Sequence, residues 1–182
     1  MPRGAIAPVL IAHGGAGARA APADRFGRRR GLLAAVHCGA TILREGGSAL
    51  DAVIASVVAL EDDPLFNAGY GSVLTVYGRV EMDAGVMIAE HVSRAARAVN
   101  GSKQTVAHAL RRSSSVQVRA GGVVTVGRVR NPIILARAVM ESTPHLLIGG
   151  AGAEALAQSA GIKLCSPGEL VSPRAHQQWL AA

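Results

Sequence analysis

The sequence is poor in the residues that mark several protein classes. Cys38 and Cys165 are the two cysteines among 182 residues, too few for a disulfide framework or a four-cysteine zinc site. Phe26, Phe66, Tyr70, Tyr77 and Trp179 make up the whole aromatic complement, 3% of the chain. No apolar run approaches the ~18 residues of a membrane span. The stretch from Ala5 to Ala12 contains Pro8 and lacks the basic lead and cleavage site of a secretion signal. A reduced, cytoplasmic setting with no membrane contact is therefore expected. Charged residues are 17% against 49% hydrophobic, which is a globular balance and not a disordered one. The core must be built from Ala, Val, Leu and Ile, and the 22 glycines imply many tight turns and close approaches.

Acidic residues are absent from one long segment. Residues 91–130 hold eight of the 19 basic residues and no acid, so the formal charge of +7 is local. The remainder carries eleven basic and twelve acidic residues and is close to neutral. A nucleic-acid surface usually interleaves stacking aromatics with its basic groups. Residues 91–130 have none, so a solvated segment is the plainer reading, with a basic binding module through 89–130 as the alternative from another class.

Apolar runs and breakers then suggest an element order. Pro8–Ala12 reads as a buried strand running into the loop His13-Gly-Gly-Ala-Gly17. Asp24 is placed to cap a helix over about 25–45 that ends at Gly46-Gly47. Gly27, Gly31 and Gly39 weaken that helix by roughly 1 kcal/mol each, so packing must hold it. Ser48-Ala-Leu-Asp51 opens a second helix in the manner of a capping box, and Pro64 stops it. Strands are expected at 72–77, 79–87 and 121–126. Asn131-Pro132 starts a further helix, with Asn as cap and Pro in its first turn. A strand at 145–148 leads through Gly149-Gly-Ala-Gly152 into an Ala-rich helix, and the tail holds at most one helical turn at 177–180. Segments 89–99 and 103–112 have helical character, so about 88–118 reads as an exposed helical hairpin or insertion. The whole is one domain over 1–182, mixed α/β with helices covering a sheet.

Chemistry is harder to find. Gly150-Ala-Gly152-Ala-Glu-Ala155 follows a strand and opens a helix, as a dinucleotide loop does, and Glu169 lies 19 residues on. Ala replaces the third glycine, and a tight strand-to-helix turn is the plainer reading. His13-Gly14-Gly15 has the look of an esterase oxyanion loop, but no Gly-x-Ser-x-Gly elbow accompanies it. The six histidines show no metal-type pairing. Glu61-Asp62-Asp63 sits where a helix C-terminus disfavours negative charge, so solvent or a cation held by carbonyls of 60–70 must offset it. Asn67, between Phe66 and Ala68, is a turn former unless it is tethered.

Several stretches taken together resemble one family. Ile11-Ala-His-Gly-Gly-Ala-Gly17, Gly47-Ser-Ala-Leu-Asp51, Leu60-Glu-Asp-Asp-Pro-Leu-Phe-Asn-Ala-Gly-Tyr-Gly71, Glu81-Met-Asp-Ala84, Arg130-Asn-Pro132 and Ser142-Thr-Pro-His145 follow the order of the plant-type L-asparaginase/isoaspartyl peptidase family. The resemblance implies an αββα sandwich of the N-terminal nucleophile hydrolase type. It also implies a precursor that cuts itself into α and β chains, with a catalytic threonine opening the β chain. This chain resembles the α subunit, to be completed by a separate β chain in an (αβ)₂ heterotetramer. By the same resemblance Asn67 supports the nucleophile. A structural sodium ion is held by main-chain oxygens of Leu60, Glu61, Asp63, Phe66, Ala68 and Tyr70, and no organic cofactor is needed. The implied substrates are L-asparagine or β-aspartyl dipeptides, with glycosylasparaginase or threonine aspartase of the same superfamily as the alternative. No substrate-binding residue carries over to this chain. About 25–30 residues between Met87 and Arg119 are extra relative to the family.

Overall fold

The computed structural model describes residues 7–15, 22–93 and 114–182. Two helices come first, α1 (Pro22–Arg44) and α2 (Ala49–Glu61), then strands β1 (Met82–Ser93) and β2 (Ser114–Val126). Helix α3 (Pro132–Ser142), strand β3 (Leu147–Gly149), and helices α4 (Gly150–Ser159) and α5 (Pro173–Leu180) complete the order. The sheet runs β1-β2-β3, with β1 antiparallel and β3 parallel to β2. Helix α3 is the crossover between the parallel strands, as such a pair requires.

All the helical cover lies on one face of this sheet. Ala84, Val86 and Ile88 of β1, Val123 of β2 and Ile148 of β3 share that face, and all join the core with α3. The centre of this layer is Leu135, Ala136 and Val139 of α3, each fully buried. Leu50 and Ile54 of α2 and Ala153 and Ala157 of α4 close it. Gly121 is where α3 comes nearest. A Cβ there would collide with the Ala136 carbonyl oxygen and lie 2.7 Å from Met140 Cβ. Gly121→Ala is expected to lift α3 and destabilise the fold by roughly 1–3 kcal/mol, read as a lower denaturant midpoint.

The opposite face is apolar and open. Registry places Met87 opposite Ala120, Ala89 opposite Val118, His91 opposite Val116 and Gly122 beside Leu147. Strand alternation puts these on the side away from α3. Met87 is 71% exposed, and Val116, Val118 and Leu147 are each more than half exposed. No described element covers them.

Several expectations need correction. Residues 8–12 form no strand; Val9 and Ile11 are exposed, because no described strand offers them a hydrogen-bonding edge. Leu10 instead leans on Gly39 of α1. The hairpin around Gly78 shrinks to a single bridge, Leu74 with Val80, closed by the Thr75 amide donating to the Arg79 carbonyl. Residues 89–93 and 114–118 are not helical: they lengthen the β1–β2 ladder, where strand pairing overrides local helical pattern. The rest of the expected insertion, 94–113, lies outside the described residues. The tail forms α5, two turns capped by Ser172, whose hydroxyl accepts from the Ala175 amide. Helix α1 begins at Pro22, so Asp24 is inside the first turn and not its cap. There Asp24 meets Arg174 at 2.8 Å and fastens α5 to α1. That hydrogen bond from Arg174 holds the Asp24 carboxyl below its ordinary range.

Among the described residues, no helix is long and apolar enough to cross a membrane. After α4 the chain makes one bridge, Val129 with Leu164, and no further strand. A dinucleotide fold needs a second strand with its acid there. Glu169 accepts from the Ser166 amide instead, so the Gly150 loop is a strand-to-helix turn.

Candidate functional site

The segment from Leu60 to Val73 is built by its neighbours on both sides. Ser48 caps α2 as its pattern indicated: the hydroxyl accepts from the Asp51 amide and donates to the Asp51 carboxylate. Arg137 of α3 also reaches Asp51 at 2.8 Å. The Ser48 hydroxyl foremost, then Arg137, holds the Asp51 carboxyl low. Helix α1 lies close on the other side. A Cβ at Gly31 would strike the Asp63 carboxylate and the Phe66 ring, and one at Gly39 would strike the Ser56 hydroxyl. The glycines that weaken α1 thus let it sit against α2 and the loop after it.

Each carboxylate of Glu61-Asp62-Asp63, at the end of α2 and just beyond it, accepts at least one hydrogen bond from the protein. Glu61 is buried, and its Oε1 accepts from the Ile133 amide at 3.0 Å. It therefore caps α3 from 72 positions away. Asn131 makes no side-chain cap bond there. Its amide donates to Asp62 at 3.4 Å. Asp62 also takes the Arg130 guanidinium at 2.8 Å, and that guanidinium lies 5.7 Å from the centre of the Tyr70 ring. Asp63 Oδ1 accepts from the Leu65 amide. Local sequence could not show the Glu61 cap, because its partner is distant in the chain.

Burial pushes the Glu61 carboxyl up to about 7, against the opposing pull of the Ile133 amide and the Asn131 side chain. Glu61 Oε2 is buried with no partner among the described residues.

Asn67 is exposed, and its Oδ1 accepts from the Val73 amide at 2.9 Å. This bond ties the two ends of the turn, with a 3₁₀ segment at Gly69–Gly71 between them. Among the described residues, Nδ2 of the same amide makes no hydrogen bond. His13 is also exposed, and its Nδ1 accepts from the Gly15 amide within its own loop.

The family resemblance implies that main-chain oxygens of Leu60, Glu61, Asp63, Phe66, Ala68 and Tyr70 would hold a sodium ion. The backbone packing of the turn suits that donor set. Gly69 has a positive φ of 51° and presses against the Glu61 carbonyl, and Gly71 presses against the Phe66 and Asp63 carbonyls. A Cβ at Gly69 would strike the Glu61 carbonyl oxygen, and one at Gly71 the Phe66 carbonyl oxygen. Neutral carbonyl oxygens at a helix C-terminus are hard donors with partial negative charge, suited to a small hard cation. Among the described residues, no three His, Cys, Asp or Glu side chains gather into a metal site. A separate cleft of about 520 Å³, lined by Arg79, Glu81, Thr125, Arg128 and Glu154 among others, shares no residue with this loop.

Comparison with known proteins settles the family. The asparaginase family profile matches residues 6–116 and 113–182. The chain belongs to the asparaginase family. It is 42% identical over 168 residues to the isoaspartyl peptidase/L-asparaginase of Homo sapiens, covering 92% of this chain and 46% of the human protein. The Bos taurus protein of the same name is 40% identical, with 94% of this chain and 47% of the relative covered. That of Danio rerio is 36% identical, with 94% and 47% covered. The chain spans about half the length of the curated relatives it matches. Its family and these relatives mark it as part of a hydrolase. The 60–71 loop lies against α1 and α2, and Glu61 and Asp62 reach the start of α3.

Proposed function

We propose that this chain is the α subunit of a self-processed threonine amidohydrolase that acts on L-asparagine, on β-aspartyl dipeptides, or on both. The observation that carries the reading is the open apolar sheet face bearing Met87, Val118 and Leu147. A half-covered sheet with helices on one side is half of an αββα sandwich, and a second sheet would bury the other side. That second half is the proposed β chain, paired as (αβ)₂.

Thr41, Thr75, Thr105, Thr125 and Thr143 are internal to the chain, and none carries a free α-amine. In the proposed reaction the β chain's N-terminal threonine hydroxyl attacks the side-chain carbonyl carbon of the substrate. Its own α-amine takes the hydroxyl proton and passes it to the departing ammonia or amine. The tetrahedral oxyanion collapses to an acyl-enzyme ester, and water releases aspartate. An α-amine suits the base role because it titrates near pH ~8. On this side of the interface Asn67 is the group that positions the nucleophile. With Oδ1 engaged by Val73, its Nδ2 donates towards the incoming hydroxyl oxygen. A sodium ion on the six loop carbonyls would supply fixed positive charge that keeps the turn presenting Asn67 in one shape.

Intact mass and N-terminal sequencing of the protein expressed from its full gene test this directly. Two chains, the second opening with threonine, are expected. A single chain with full amidase activity would remove the self-processing reading.

A further inference from the structure

The cleft apart from the 60–71 loop is walled by four segments: the turn at 78–81, the end of β2 with the residues after it, the first turns of α4, and the turn at 167–171. Its volume of about 520 Å³ lies within the roughly 300–1,000 Å³ of small-molecule sites. Arg79, Arg128, Glu81 and Glu154 all line it. Two cations and two carboxylates in one cleft ordinarily pair with each other. Five ion pairs form among the described residues, and none of these four takes part in any. Their charges sum to zero. A simple anion therefore gains from the arginines what it loses to the carboxylates, and a simple cation fares the reverse. A molecule carrying both an ammonium and a carboxylate finds a partner for each.

The walls are fixed by their own hydrogen bonds. Arg128 donates through Nε to the Cys165 carbonyl at 3.0 Å, and the Cys165 amide donates to the Arg128 carbonyl at 2.7 Å. One edge of the guanidinium is thereby held, and its terminal nitrogens make no hydrogen bond among the described residues. A guanidinium so placed can receive a carboxylate in two parallel bonds. Thr125 has a φ of 56°, a left-handed backbone that a β-branched residue rarely adopts. The Asp83 carboxylate accepts from the Thr125 amide at 2.8 Å, beside the shift in the β1–β2 register. Backbone strain of this kind persists where the surroundings impose it, and it clusters at ligand sites. On a further wall Glu169 accepts from the Ser166 amide and ties off the turn that carries Pro167 and Gly168.

We propose that this cleft binds a small zwitterion with a free α-amine and a free carboxylate, an α-amino acid or a dipeptide. The carboxylate is received by the Arg128 guanidinium, with Arg79 beside the same cleft. The ammonium is met by Glu154, half-buried on α4, and by Glu81. This binding is independent of the amidohydrolase reading.

The test is calorimetric titration of the protein expressed from its full gene with L-alanine and with L-alanyl-L-alanine. Neither contains a side-chain amide or a β-aspartyl bond to hydrolyse. At least one is expected to bind with a Kd below about 5 mM, and the tighter of the two tells a single amino acid from a dipeptide. N-acetylation or C-terminal amidation of that ligand removes one charge and is expected to weaken binding by roughly tenfold or more. Arg128→Gln and Glu154→Gln are each expected to weaken it by a similar factor. Should Arg128→Gln disturb the turn at Cys165, Glu154→Gln decides, because the Glu154 side chain makes no hydrogen bond among the described residues. No binding of either ligand at about 20 mM overturns the proposal. Equal affinity for the blocked ligands, or wild-type affinity in Glu154→Gln, overturns it as well.

Discussion

Met87→Asp, introduced into the protein expressed from its full gene, is expected to block maturation and reduce amide hydrolysis to background. Met87 is 71% exposed in this chain, so a carboxylate there meets water and leaves the core under α3 undisturbed. The effect arises only when a second sheet closes over the face. An unpaired carboxylate between two sheets costs several kcal/mol, comparable to the whole stability of a domain. Gln117→Asp is the control, on the same ladder but on the other face and exposed. It is expected to mature normally. Processing is read by mass and turnover by ammonia or aspartate release. Normal maturation and turnover of Met87→Asp would place this face in solvent and sink the sandwich reading.

Gly69→Ala is expected to lower turnover by about a hundredfold and destabilise the protein by roughly 2 kcal/mol or more. Two costs combine at this position. The backbone is left-handed, with φ at 51°, which any Cβ resists by about 1 kcal/mol. The added methyl also meets the Glu61 main-chain carbonyl, which no side-chain rotation can move aside. The turn must open, and Asn67 lies two residues away. Gly46→Ala separates the two costs. Its φ is 84°, but a Cβ there meets nothing within 4 Å. It is expected to lose about 1 kcal/mol and keep its turnover. Equal turnover in the two variants would detach Gly69 from the site.

Much of the local structure was legible because its causes are local. Ser48 and Asp51 are three residues apart and cap α2 as their spacing implies. Pro132 stands at the start of α3, and the strand before Gly149-Gly150 runs into α4. Misreadings fell where a distant partner decided. Pro8–Ala12 has a strand's composition but no described edge to pair with. Residues 89–93 have a helix-like pattern yet extend β1 and pair with β2. Asn131 has a cap's composition, but Glu61 does the capping.

The candidate site divides the same way. Its family could be read from residue identity and order, since a run as specific as Pro64-Leu-Phe-Asn-Ala-Gly69 carries its own signature. The near absence of cysteine and aromatic residues likewise determined an aliphatic core without disulfides. Tertiary structure alone decided which carboxylate is buried, what each acid of Glu61-Asp62-Asp63 holds, and which sheet face stays bare. Those outcomes depend on α3 and β2 folding back over α2 and β1. Hydrogen bonds and burial between segments far apart in the chain leave no periodicity in a sequence.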